Sequence, residues 1–82
     1  MTYIDELMTV LAEECAEVIQ VACKIKRFGV DKASLDALVQ ELGDVQCMIE
    51  MCHEADYISY ADLDEWSQKK REKLKRWSVN LK

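Results

Sequence analysis

The sequence predicts an all-α fold in which an antiparallel helical hairpin is followed by a third helix, in one domain of residues 1–82. The chain has no Pro and only two Gly, so it lacks the turn residues that an all-β fold of this length requires. Apolar residues recur three and four positions apart, the spacing of amphipathic helices. Because 82 residues support only a small core, we expect the helices to assemble into bundles as a homo-oligomer.

The first helix is predicted from Thr2 to about Phe28. It begins with the capping-box pattern Thr2-x-x-Asp5 and ends before Gly29, a residue suited to the left-handed position past a helix end. Its apolar seam has heptad spacing, and a second strip widens that face beyond what one partner helix would cover. The seam is Ile4, Met8, Leu11, Cys15, Val18, Ala22 and Ile25, and the second strip is Leu7, Leu11, Val18, Val21 and Ile25.

Two further helices are predicted, one that starts near Lys32 to Leu35 and runs to about Ala55, and one from the capping box Ser59-x-x-Asp62 to about Trp77. Both have apolar residues at helical spacing. The second helix presents Leu35, Leu38, Leu42, Val45, Ile49 and Cys52, widened by Met48 and Met51, and the third presents Leu63, Trp66, Leu74 and Trp77.

Charge and composition exclude several classes of protein. A net charge of −5 argues against a nucleic-acid polymer as partner, and a phosphate ligand would need a cation between it and the protein. The sequence shows neither a signal-peptide pattern nor an apolar run of membrane-spanning length, so we expect a cytoplasmic protein with no membrane partner. Four Cys form no CxxC pair and only one His accompanies them, which favours buried thiols over a zinc site.

Two acidic motifs stand out, Glu13-Glu14-Cys-Ala-Glu17 and Glu41-Leu-Gly-Asp44. Helical residues three apart share a face, so each motif contains a pair of neighbouring carboxylates. The midpoints of the two pairs, 15.5 and 42.5, average 29, which is the position of the turn residue glycine. In an antiparallel hairpin the two pairs therefore face each other at the same height.

Four converging carboxylates imply a cation, because like charges in a partly buried site raise one another's pKa. Oxygen ligands in that number select a hard ion, Mg²⁺ or Mn²⁺. An isolated ExxE pair is more often a solvated helix face, but two pairs at matched height are poorly explained that way. Glu13 fits either a site or a surface role.

The third helix carries a basic run between Lys69 and Trp77. Lys70, Lys73 and Arg76 suit phosphate binding, and they equally suit a helix carboxyl end, where cations complement the helix dipole. Both interpretations stay open for these three residues.

The paired acidic motifs resemble the signature of the all-α NTP pyrophosphohydrolase superfamily, ExxE and ExxD on either side of a helical turn, and their surroundings resemble the MazG-like branch. Here the signature has Glu14 and Glu17, 23 intervening residues, then Glu41 and Asp44. The resemblance implies hydrolysis of a (deoxy)nucleoside triphosphate between its α and β phosphorus atoms, giving the monophosphate and pyrophosphate. It also implies a homodimer or homotetramer.

The resemblance further implies roles for individual residues. Glu14, Glu17, Glu41 and Asp44 would be the metal ligands, and one of these carboxylates, or Glu13 beside them, would be the general base for the attacking water. We take Glu13, Glu14 and Glu17 as the catalytic candidates. The basic stretch of the third helix is similar to that of small family members, which makes Lys70, Lys73 and Arg76 the candidates for substrate binding.

Two other interpretations compete with this one. The chain fits a non-enzymatic oligomerisation or adaptor protein with a structural divalent-ion site. A ferritin-like di-iron site requires two ExxH motifs, and this sequence has one, from Glu50 to His53. Trp66, Trp77, Tyr57 and Tyr60 are candidates for stacking on a base, although packing in a core or interface is the expected role of each Trp.

Overall fold

The computed structural model describes residues 1–81 as three helices, and no strand occurs in that part of the chain. Helix α1 spans Tyr3–Phe28, α2 spans Lys32–Glu54 and α3 spans Tyr60–Trp77. The predicted all-helical fold and the positions of its helices are confirmed. The chain divides into two compact units, Met1–Cys52 and the residues from His53 onward.

Within the described residues, no helix combines the length and the apolar character that crossing a bilayer requires.

Side-chain caps define where the helices begin. The backbone N–H of Asp5 donates to the hydroxyl of Thr2 (3.2 Å) and the N–H of Thr2 donates to the Asp5 carboxylate (3.3 Å), which completes the predicted capping box. At the start of α2, Ser34 N–H donates to Asp31 (2.7 Å) and Asp31 N–H donates to the Ser34 hydroxyl (3.0 Å). Ser59 caps α3 by the same contact to an amide three residues on (3.1 Å). These contacts satisfy N–H groups that have no partner inside a helix.

The two turns contain the positive φ angles found within residues 1–81. Gly29 has φ 91° and ψ 177°, and its N–H donates to the Ile25 carbonyl (2.8 Å). This backbone conformation differs from the left-handed helical one expected, and it lies in a region of φ and ψ that is essentially restricted to glycine. Asp56, after α2, has φ 63° and donates to the His53 carbonyl (3.0 Å). Aspartate is among the residues that tolerate this left-handed conformation.

Helices α1 and α2 pack as an antiparallel hairpin in the first unit. Tyr3 and Leu7, near the start of α1, border the same small cavity as Met48 and Met51, near the end of α2. Leu7, Met48 and Cys52 are buried. The core of this unit therefore lies toward the end of the hairpin opposite its turn.

The hairpin uses one apolar strip of each helix and leaves the other exposed. On α1, the second strip faces inward: Leu7 is buried, and Leu11, Val18, Val21 and Ile25 are half-buried. Much of the heptad seam faces outward, because Ile4, Met8, Cys15 and Ala22 of α1 and Leu35 and Leu42 of α2 are exposed. The hairpin alone does not cover the wide apolar face predicted for α1.

One expectation about apolar residues fails in the single chain, and a second is met only outside its core. Cys15, Cys23 and Cys47 are exposed, and only Cys52 of the four free cysteines is buried. The prediction of buried thiols is wrong for the first three because they lie on sides of their helices that no helix in the first unit covers. On α3, Trp66 and Trp77 are also exposed, so neither packs in a core of this chain, and packing of either in an interface stays a prediction.

Candidate metal centre

The four signature carboxylates meet between the two helices of the hairpin. Glu14 and Glu17 of α1 and Glu41 and Asp44 of α2 each present a carboxylate oxygen, and these four oxygens all lie within 4.8 Å of one another. Across the described residues they are the one group of side chains placed to share an ion. The predicted meeting of the two acid pairs is confirmed, and that they bind a metal stays a prediction.

The cluster is half enclosed by the hairpin. Glu14 and Glu41 are half-buried, whereas Glu17 and Asp44 are exposed. One oxygen of Glu14 and one of Glu41, Oε2 in each, are shielded from solvent and have no hydrogen-bond partner. A shielded carboxylate oxygen without a partner is unfavourable, and such atoms are uncommon in native proteins. These two oxygens are suitably placed to bind a cation.

The pKa values of the two half-buried acids reflect this crowding. Burial raises the pKa of Glu14, and the charges of Glu17 and Asp44 raise it further. The pKa of Glu41 is raised first by the Glu17 carboxyl, which is placed to share a proton with it, then by burial and by the charges of its neighbours. Both shifts show that the fold opposes simultaneous ionisation of the cluster.

No Lys or Arg neutralises the cluster within residues 1–81. The ion pairs found there are elsewhere, namely Lys32–Asp36, Lys69–Glu65 and Lys75–Glu72. All three join exposed side chains one turn apart on a single helix. The negative charge of the cluster is therefore uncompensated by a side chain, as expected of a site that binds a cation.

The spacing of the oxygens is suitable for a hard divalent ion. Opposed oxygens around Mg²⁺ lie about 4.2 Å apart, twice the bond length of about 2.1 Å. Oxygens at the observed limit of 4.8 Å would approach each other by about 0.6 Å on binding. Small side-chain rotations supply such a movement, so these residues are suited to Mg²⁺ and, with a longer bond, to Mn²⁺.

Glu13 lies outside the four-carboxylate group and is exposed. Glu13 occupies the helical position immediately before Glu14, about 100° away around the helix axis, and it lies about one turn from Glu17. Its carboxylate is thus near the cluster without being a member of it.

The basic residues singled out on α3 share one surface of the second unit. Lys70, Lys73 and Arg76 line an open depression of about 620 Å³, and its other residues include Trp66 and Lys69 and the acids Glu65 and Glu72. The Lys69 ammonium lies 4.5 Å from the centroid of the Trp66 ring, a distance at which the cation is attracted to the aromatic face. The three candidate residues form a cationic surface beside an exposed aromatic ring.

The single ExxH motif, from Glu50 to His53, lies outside the acid cluster. The ring of His53 stacks on Tyr60, with centroids 4.1 Å apart and planes inclined by 22°. Neither His53 nor Glu50 belongs to the group of side chains placed to share an ion. The di-iron interpretation gains no support from the hairpin.

An apolar cavity beside the cluster was not anticipated from the sequence. It measures about 240 Å³ and is lined by Tyr3, Glu6, Leu7, Val10, Met48 and Met51. Val10 lies four residues before Glu14, and Met48 lies four residues after Asp44, so the cavity begins one helical turn from the acids. The meeting of these residues could have been predicted from the residue numbers, because Val10 and Met48, like the two acid pairs, lie at equal distances along the chain from Gly29.

No family model, no curated protein and no solved structure matches this chain. The carboxylate cluster, rather than a relative, is the observation on which a function rests.

Proposed function

We propose that this protein is a Mg²⁺-dependent nucleoside triphosphate pyrophosphohydrolase that cleaves the α–β phosphoanhydride of a (deoxy)nucleoside triphosphate. The observation that supports it is the cluster of four carboxylates from facing helices, two of which have a shielded oxygen without a partner. The resemblance of these motifs to the MazG-like branch supplies the reaction class. The proposed working form is a homodimer or homotetramer in the cytoplasm.

The proposed role of Glu14, Glu17, Glu41 and Asp44 is to hold the ion. When bound, Mg²⁺ or Mn²⁺ supplies positive charge to the phosphate oxygens and lowers the pKa of the attacking water. Glu13 lies near the cluster but outside it, so its carboxylate stays free to accept a proton from that water. Glu14 and Glu17 are the other candidates for this base.

Two surfaces are proposed to bind the rest of the substrate. The apolar cavity one turn from the acids is suited to a nucleobase, because Met48, Val10 and Tyr3 offer apolar contacts and the carboxylate of Glu6 can accept hydrogen bonds from a base amino group. Lys70 and Lys73 are proposed, with Arg76, to bind phosphate oxygens. The net charge of −5 makes such local cations necessary for a polyanionic substrate.

The decisive experiment separates the products of nucleotide hydrolysis. A panel of ribo- and deoxyribonucleoside triphosphates is incubated with the protein and Mg²⁺, and the products are resolved by ion-exchange chromatography. We expect monophosphate and pyrophosphate in equal amounts. Diphosphate and phosphate as products would contradict the proposed reaction, and no turnover of any nucleotide would end the enzyme interpretation.

Matched variants test whether the cluster carries the activity. Glu17→Gln and Asp44→Asn remove one negative charge each from the site, and Glu50→Gln makes the same chemical change on α2 outside it. We expect turnover to be lost in the first two variants and retained in Glu50→Gln. Equal turnover in all three would show that the cluster is not the active site.

The adaptor alternative is supported by the exposed apolar side chains of the hairpin, which indicate a protein that assembles. Thermal melts distinguish the two functions. If the ion is purely structural, Glu17→Gln lowers the melting temperature in Mg²⁺ and the wild type shows no turnover. If the site is catalytic, relief of like-charge repulsion leaves the metal-free protein as stable as before or more so, while turnover disappears.

A further inference from the structure

The apolar cavity of the first unit has one charged residue in its lining. The cavity lies between the start of α1 and the end of α2, and its volume is about 240 Å³. Of its lining residues, Leu7 and Met48 are buried, whereas Glu6 is exposed. A carboxylate therefore stands at the border of a surface that otherwise offers mainly apolar contacts.

The carboxylate of Glu6 is free to bind a ligand. The first turn of α1 has two acids, Asp5 and Glu6. Asp5 is engaged in the capping box, where its carboxylate accepts from the N–H (3.3 Å) and the hydroxyl (2.7 Å) of Thr2. Within residues 1–81, no hydrogen bond or ion pair engages the side chain of Glu6. Both of its oxygens therefore stay available as acceptors.

Glu6 lies on the same side of α1 as acids of the cluster and its neighbourhood. Glu6, Glu13 and Glu17 are spaced seven and four residues apart, which puts them in one row along the helix. On α2, Met51 of the cavity follows Asp44 of the cluster by seven residues, or about two turns. The cavity and the acid cluster are thus neighbours along one side of the hairpin.

The separation of the two sites suits a single nucleotide. Val10 lies four residues before Glu14, and Met48 lies four residues after Asp44, so the near edge of the cavity is about 6 Å from the acids along the helix axes. A ribose can span that gap when the phosphates are at the cluster. The 240 Å³ of the cavity is below the roughly 300 to 1,000 Å³ of pockets for larger ligands, so it suits one ring system such as a nucleobase.

A carboxylate distinguishes the common bases by their hydrogen-bonding edges. Its two oxygens only accept hydrogen bonds. Guanine presents two adjacent donors, N1–H and the 2-amino group. Adenine and cytosine each present an amino group beside a ring nitrogen that is itself an acceptor, and uracil and thymine present one N–H between two carbonyls. Guanine is therefore the common base that can donate to both oxygens at once.

We propose that Glu6 is the specificity-determining residue of this protein and selects guanine nucleotides, by accepting hydrogen bonds from N1–H and the 2-amino group of a base in the apolar cavity. Two parallel hydrogen bonds to a charged acceptor are both strong and geometrically specific. The ring of Tyr3, which lines the same cavity and is 57% exposed, offers an aromatic surface to the base. This inference rests on the proposed function and adds the substrate class to it.

Three purine nucleotides that differ at one atom group test the proposal on the wild-type protein. The ratio kcat/KM is measured in Mg²⁺ for GTP, for ITP, which lacks the 2-amino group, and for XTP, which has a carbonyl in its place. We expect GTP to exceed ITP by about tenfold or more, because ITP forfeits one hydrogen bond to a charged group. XTP should be slower than ITP, since its carbonyl oxygen faces a carboxylate oxygen.

A variant with altered hydrogen bonding tests whether Glu6 is the residue responsible. Glu6→Gln replaces one acceptor by an amide NH₂, which complements the donor and acceptor of adenine instead of the two donors of guanine. We expect the GTP to ATP ratio of kcat/KM to fall by about tenfold or more. The control Glu50→Gln makes the same change outside the cavity and should keep the wild-type ratio.

The ratio between bases separates recognition from a structural role. An acid in the first turn also complements the helix dipole, and loss of that effect alone would change the turnover of all nucleotides by the same factor. A GTP to ATP ratio in Glu6→Gln equal to that of the wild type would therefore overturn the proposal. Equal kcat/KM for GTP and ITP in the wild type would also overturn it, while leaving the proposed reaction intact.

Failure of the proposed function gives a different result, which is no turnover of any nucleotide. Base recognition is then measured by calorimetric binding of GMP and IMP in Mg²⁺. A GMP affinity about tenfold above that of IMP, lost in Glu6→Gln, would support recognition by Glu6, and equal affinities would overturn it. Should Glu6→Gln fail to fold, the comparison of guanine, hypoxanthine and xanthine nucleotides on the wild type decides the question alone.

Discussion

Replacement of Gly43 by Ala should stabilise the protein although the glycine lies inside the acidic motif of α2. A Cβ added at Gly43 meets no atom within 4 Å, so the fold has room for it. Glycine in a helix interior costs about 1 kcal/mol relative to Ala. The expected gain in unfolding free energy is therefore about 1 kcal/mol. For 82 residues, an unfolding entropy of about 170 cal/mol/K converts this into a rise of about 6 °C in Tm.

The assay combines thermal melts of the metal-free protein, followed by circular dichroism, with turnover of the best nucleotide in Mg²⁺. Gly43 lies about half a helical turn from the inward strip of α2, so its Cβ points away from the cluster and turnover should be unchanged. A lower Tm for Gly43→Ala would refute the reasoning, because it would mean that another surface packs against Gly43. Higher stability with lost turnover would show that the substrate approaches this side of α2.

Three further predictions follow from the backbone and the cluster. Gly29→Ala should lower the unfolding free energy by about 1 to 3 kcal/mol, measured in urea, since φ 91° and ψ 177° strain any side chain; an unchanged value would contradict it. Folding raises the pKa of Glu14 and Glu41, so the metal-free native state binds more protons than the unfolded chain, and stability should fall as pH rises above about 4.3. The unfolding free energy measured in urea at a series of pH values should show this decrease, and the decrease should be smaller in Glu41→Gln. Asp56→Gly should raise Tm, because φ 63° suits glycine better; a lower Tm would show that the Asp56 side chain is needed.

Much of the fold was predictable because its determinants are local. Helix ends are fixed by contacts between residues three or four positions apart, made by Thr2, Gly29 and Ser59. Such contacts can be predicted from the sequence without knowledge of the tertiary structure. The backbone conformation of Gly29, with φ 91° and ψ 177°, could not be predicted, because glycine is compatible with several positive-φ conformations.

The choice between two apolar strips on α1 was not predictable. Both strips have helical spacing, and they share Leu11, Val18 and Ile25. Which strip faces α2 depends on the rotation of each helix about its own axis, a tertiary property that periodicity does not determine. The exposure of Cys15 and the burial of Leu7 follow from that same rotation.

The position of the acid cluster along the hairpin was predictable, but the burial of its individual carboxylates was not. Equal distances from the turn bring the two acid pairs together, and this can be computed from residue numbers alone. That Glu14 and Glu41 are half-buried while Glu17 and Asp44 are exposed again depends on helix rotation. The distinction matters chemically, because the pKa shifts and the unpartnered oxygens belong to the two half-buried residues.

The two surfaces of the hairpin imply two separable sources of stability. Among the described residues, Leu7, Met48 and Cys52 are the buried apolar ones, a small core for a chain of this length. A cation would relieve repulsion in the acid cluster, and a second copy of the chain would cover exposed apolar side chains of the hairpin such as Met8 and Leu42. Each ligand that binds only the folded state raises Tm by mass action. Because the two surfaces share no residue, the Tm increments from Mg²⁺ and from higher protein concentration should be additive. A Mg²⁺ increment that disappears on dilution would instead show that the ion site is completed by the second subunit.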